Sequence, residues 1–122
     1  MSSDALSTFI RSTFRSVWAL ELLCLLRQNR GRGLTHEEMV ARLRGSDLVV
    51  SQSVESLTAA GLVLSESDGS IRYAPVSDDL DRLAADAEAR YARSPDAVRR
   101  LIVTAANPSV SAFADAFRLR KD

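Results

Sequence analysis

The chain has 122 residues, enough for one domain with a core of its own. Apolar residues make up 46% and charged residues 26%, an ordinary balance for a water-facing protein. Sixteen cations meet sixteen acids, so the formal charge is zero, which excludes a chain that is basic throughout, as many polyanion binders are.

Every cation except Lys121 is arginine. Arginine suits bidentate contacts to phosphate or carboxylate, although a general bias of composition would give the same count. Cys24 is the one cysteine, so no internal disulfide can form. It lies in the apolar run from Val17 to Leu26 and reads as a small core residue. That run follows Arg11 and Arg15, as in a signal peptide. Glu21 interrupts it, however, and Arg27-Gln28-Asn29-Arg30 follows where a small-residue cleavage site would stand. It is too short to span a membrane. These features place the expected protein in the cytoplasm, without membrane contact.

In chain order, residues 1–8 are polar and are expected to fray. Phe9, Ile10, Phe14, Val17, Trp18 and Leu20 to Leu26 predict one long helix, apolar nearly all round from Val17 and so central. A basic loop, Arg27 to Gly33, ends it. Thr35 with Glu38 forms a capping-box pattern that starts a second helix, with Leu34 and Met39 placed for a hydrophobic staple. Gly45 is expected to break that helix, and Ser46 or Asp47 to cap the third. In the third, Val50, Val54 and Leu57 share one face, while Leu48, Gln52, Glu55 and Ala59 lie opposite. Gly61 fits a left-handed stop. Leu62-Val63-Leu64 and Ile71 to Pro75 predict two strands around an Asp68-Gly69 turn, both turn residues tolerating positive φ.

Ser77 then caps a helix with Leu80, Leu83, Ala84, Ala87 and Tyr91 on one side. Pro95 opens another, with Val98, Leu101, Ile102 and Ala105 on one face. After Asn107-Pro108, the stripe Val110, Phe113, Ala114 and Phe117 predicts a last helix. Val110, Phe113 and Phe117 fit either a homodimer contact or packing within the chain.

Catalytic patterns are missing. His36 and Cys24 are single, so a multi-ligand zinc site cannot be assembled from them. No Gly-x-Ser-x-Gly or P-loop occurs. Asp78, Asp79 and Asp81 suit a helix N-terminus better than a cation site. We therefore expect no enzyme, no cofactor and no metal.

The run "LTAAGLV", leading from helix directly to strand, followed by the Asp-Gly hairpin, resembles the recognition helix and wing of winged helix-turn-helix proteins, as in MarR-like and ArsR-like bacterial regulators. The resemblance covers about residues 14–76. It implies a mainly α fold with a two-stranded β-wing and added C-terminal helices. The expected layout is one domain over 1–122, with the winged module at about 9–76 and C-terminal helices over 77–122, the latter a candidate dimerisation element.

The implied function is a dimeric, DNA-binding transcriptional regulator. On that reading, Ser46, Leu48, Val49, Ser51 and Gln52 front the recognition helix, where Gln52 can pair with adenine and Ser51 can bond a base edge or phosphate. Arg30, Arg32, Arg42, Arg44 and Arg72 supply phosphate contacts, and Thr35 and Ser46 bring helix N-termini. Local charge pulls against this. Residues 45–71 hold four acids and no cation, whereas residues 1–44 hold seven arginines against four acids. The alternative is a winged-helix module that binds protein through exposed Leu48 and Val49 and does not bind DNA.

Overall fold

The computed structural model describes residues 2–106. Among these residues, six helices and one hairpin follow in order: α1 Ser2–Thr13, α2 Val17–Gln28, α3 His36–Leu43, α4 Asp47–Ala59, β1 Val63–Ser65, β2 Ile71–Tyr73, α5 Asp78–Arg93 and α6 Pro95–Ala106. The fold is mainly helical with one small antiparallel sheet. Among the described residues, no helix is long and apolar enough to cross a membrane.

The single long first helix of the sequence reading is two helices. Ser16 adopts extended backbone (φ −155°, ψ 162°), and its hydroxyl accepts the Ala19 N–H at 3.3 Å. A serine hydroxyl competes with the helix for backbone donors, so it ends one helix and starts another. Residues expected to fray instead form the front of α1. Leu6, Phe9 and Ile10 repeat at helical spacing and are buried, and α1 packs on α5 and α6. Phe9 and Phe14 meet edge to face, with centroids 5.7 Å apart.

Helix α2 is the centre of the core. Leu20, Leu22, Leu23 and Leu26 are wholly buried, and α2 touches α3, α4, β2, α5 and α6. The capping box opens α3 as its sequence pattern predicts. The Glu38 N–H donates to the Thr35 hydroxyl at 3.1 Å, and the Thr35 N–H donates to the Glu38 carboxylate at 2.9 Å. Leu34 and Met39 are both buried.

The turn into α4 differs from expectation. Arg44, not Gly45, holds the left-handed conformation (φ 57°, ψ 35°), and its N–H donates to the Val40 carbonyl at 2.9 Å. Gly61 (φ 76°) closes α4 as expected. The Leu62 N–H reaches the Leu57 carbonyl and the Gly61 N–H reaches that of Thr58, the paired bonds of a Schellman stop.

The strands pair Val63 with Tyr73 and Ser65 with Ile71. At the hairpin tip only Gly69 has positive φ; Asp68 instead accepts the Ser70 N–H and hydroxyl, at 3.0 and 2.7 Å. The loop thus has three residues between Glu66 and Ser70, and glycine alone carries the left-handed step. The outer edge of β2 is also covered. Leu34 and Ile71 exchange both backbone hydrogen bonds at 2.9 Å.

A polar seam ties α5 and α6 to α2 and β2. Arg27 pairs with Glu88 and lies over the Tyr73 ring, 5.4 Å from its centroid. The Tyr73 hydroxyl donates to Asp81 at 2.6 Å, and that of Tyr91 donates to Glu21 at 2.7 Å. Arg99 of α6 lies over Tyr91. On α6, Val98 and Ile102 are buried, whereas Ala105, expected on the same face, is exposed.

Burial pushes the Tyr73 phenol up to about 12, and its bond to Asp81 adds to the rise. Burial likewise pushes the Cys24 thiol up to about 12, with nearby Glu88 adding to it. In both cases the folded chain holds the proton more tightly than the unfolded chain. Their contribution is therefore complete below the ordinary thiol value of 9.0 and is lost as pH rises towards about 12. Urea midpoints should accordingly fall through this alkaline window, and Cys24→Ala should flatten the early part of the fall. At neutral pH, Cys24 should react with iodoacetamide far more slowly in the folded chain than in urea.

Candidate functional site

The face made by the α3–α4 turn, α4 and the hairpin is where the sequence-predicted contact residues gather. Ser46 caps α4, its hydroxyl oxygen accepting the Val49 N–H at 3.2 Å, which leaves its O–H donor unused by the cap. Thr35 accepts the Glu38 N–H in the same way at α3. Along α4, Val50, Ser53 and Leu57 are buried. Val54, expected among them, is half-buried, and Ser53 takes its place at the centre of the packed strip. Leu48, Ser51, Gln52, Glu55, Thr58 and Ala59 are exposed, and Leu48 is 65% accessible. Val49, expected in the open with Leu48, is half-buried and lines a groove beside α1 and α2.

The cations divide into two sets. Arg32 bonds Glu38 at 2.8 Å, and Arg72 bonds Glu66 at 2.8 Å across the hairpin. Both were expected to be free for phosphate. Their partners lie six residues away in each case, on the far side of a turn, which spacing alone does not reveal. Arg30, Arg42 and Arg44 are exposed and make no ion pair among the described residues. Arg42 and Arg44 stand just before the N-terminus of α4.

The outward strip of α4 carries Asp47 and Glu55 and no cation. Asp47 reaches back across the turn to the His36 ring, 2.9 Å away, a bond between the starts of α3 and α4 that the sequence reading missed. Val110, Phe113 and Phe117, the expected dimer stripe, lie outside the described residues.

No family model, no curated protein and no solved structure matches this chain.

The left-handed arginine at position 44 carries strain that glycine would not, about 1–2 kcal/mol before the flexibility of glycine is counted. Arg44→Gly should therefore leave stability unchanged or raise it by up to about 1 kcal/mol in urea titration, whereas Arg44→Val should lower it.

Proposed function

We propose that the protein is a winged-helix, DNA-binding regulator of transcription that acts as a homodimer. One observation carries the reading: the order of elements around Leu34. Helix α2 leads to a single bridging residue, then to two helices across a tight turn, then to a hairpin whose second strand takes the bridge. That order supports a wing beside a recognition helix, α4, with one flank in solvent.

On this reading α4 enters a major groove. Gln52 would pair with adenine, Leu48 would meet a thymine methyl, and Glu55 would accept from a cytosine amine. Arg42 and Arg44 would hold the phosphates next to the start of α4, and Arg30 those near the hairpin. An arginine kept in a left-handed turn, at the mouth of this helix, supports a role beyond the turn itself. With Arg32 and Arg72 engaged by acids, each copy offers three free cations on this side. Two copies would bring six, the lower edge of the roughly 6–10 phosphate contacts that DNA binders use.

A specific observation favours a second reading. Leu48, 65% exposed, stands between Asp47 and Glu55 on the outward strip. An apolar centre with an acidic rim suits a groove on a basic protein partner, and the fold would then serve as an adaptor.

Selection from random duplexes at two salt concentrations separates the two. DNA binding predicts an enriched motif and a log–log salt slope of about −5, from six contacts at roughly 0.9 each. Removing Arg42 and Arg44 by alanine substitution should bring the slope to about −2, and Gln52→Ala should change the motif with little change in slope. Failure to retain any duplex at low salt would end the DNA reading. The adaptor reading stands or falls on Leu48→Asp, which should abolish capture of a protein partner while leaving the circular dichroism spectrum intact.

A further inference from the structure

A groove of about 760 Å³ opens between the α1–α2 joint and one flank of α4. Its size lies within the range of small-molecule sites. Arg15 and Trp18 stand on the first wall, and Gln52, Ser53 and Glu55 on the second.

Three features of these walls point to a ligand. Ser53 is only 3% exposed, yet its side chain makes no hydrogen bond within the chain, and the sliver it exposes lines the groove. Its oxygen is not sealed off from the groove, so a partner entering the groove can bond it. Arg15 and Glu55 carry opposite charges on opposite walls, and neither is ion-paired, to the other or elsewhere among the described residues. Trp18, half-buried, adds an aromatic side chain to the wall that carries Arg15.

The charges restrict the chemistry. Arg15 directly precedes Ser16, the cap of α2, so the positive end of the helix dipole adds to its attraction for an anion. A ligand with only negative charge would meet Glu55. One with only positive charge would meet Arg15 and the helix end. A molecule bearing one charge of each sign satisfies both walls.

We propose that this groove binds a small zwitterion of the free amino-acid class. Its carboxylate lies toward Arg15 and the start of α2, and its ammonium toward Glu55. Ser53 bonds the polar end, and the side chain rests on Trp18. Gln52 and Glu55 stand both on this wall and on the strip given to the bases in the DNA reading, so ligand and DNA would compete for them; the ligand titration is run without DNA and tests the groove alone.

Trp18 is the one tryptophan of the chain, so its emission reports on the groove directly. The full chain is titrated with each standard free amino acid to about 10 mM, well past a millimolar dissociation constant. A saturable change is expected for a subset with apolar side chains. For the best of them, the matching deaminated acid and decarboxylated amine should each bind at least about tenfold more weakly, as loss of one charge-assisted bond requires. Arg15→Gln and Glu55→Gln, both on exposed positions, should weaken binding to the same degree, with unchanged melting of the ligand-free protein.

Three results would overturn the proposal. One is no response to any amino acid. Another is a deaminated acid that binds as tightly as its amino acid, which would make this a simple anion site. The third is a Trp18 signal that changes on dilution alone, together with a dimer by sedimentation, which would assign the groove to a second copy of the chain. The ligand series uses the unaltered protein, so it decides even if a variant fails to fold.

Discussion

The structure depends on the burial of one helix with almost no polar face. Helix α2 brings four wholly buried leucines, pointing in different directions round its axis, against five other elements. Each buried leucine contributes about 1.5–3 kcal/mol relative to exposure, so no neighbour can withdraw without exposing part of that surface. Its two charged side chains then decide which neighbours stand where. Glu21 can be half-buried only beside a donor, and Tyr91 of α5 provides it. Arg27, close to the far end of the helix, needs both an acid and an apolar cover, supplied by Glu88 and the Tyr73 ring. A partner removed from such a pair leaves a charge without compensation, which costs more than the pair itself contributes. The apolar stripe therefore gathers the fold, and the two charges fix the angle at which α5 lies across it.

Much of this was legible in particular residues. Thr35 with Glu38, Ser77 before two aspartates, and Pro95 after Ser94 each carry their own hydrogen-bond logic, and each opens a helix where expected. Gly61 and Gly69 hold the two positive-φ steps assigned to them. The failures share a physical cause. Periodicity carried the first helix through Phe14 to Ser16, because apolar spacing continues there while the backbone does not. Gly45 attracted the turn, but the left-handed residue is Arg44, since the helix ends one residue earlier and the local geometry tolerates a side chain pointing to solvent. The bridge from Leu34 to Ile71 joins residues far apart in sequence, and one backbone pair leaves no pattern to read.

The candidate site was legible in position and not in electrostatics. Sequence places Ser46, Leu48, Ser51 and Gln52 along the outward strip, and all are exposed. It counts cations but cannot see which are occupied. Arg32 and Arg72 look free in a charge tally, yet each folds back on a glutamate. Exposed pairs of this kind contribute little to stability, about 0–1 kcal/mol, yet they occupy the guanidinium all the same.

Helix α4 is held in a way that separates its fold from its surface. Its ends are fixed by Ser46 and by the stop at Gly61, and its packed strip is narrow, centred on Val50, Ser53 and Leu57. The remaining sides are in solvent or along the groove. Substitutions at Leu48, Ser51, Gln52 or Glu55 therefore remove almost no buried area, and the strip that anchors the helix is untouched by them. Ser53 is the exception, since it lies in the strip and at the groove at once. A leucine or valine there would pack against α2 more favourably than an unpaired hydroxyl does. That a polar group stands in the anchoring strip, where an apolar one would bind the helix more firmly, is the feature of α4 that packing alone does not explain.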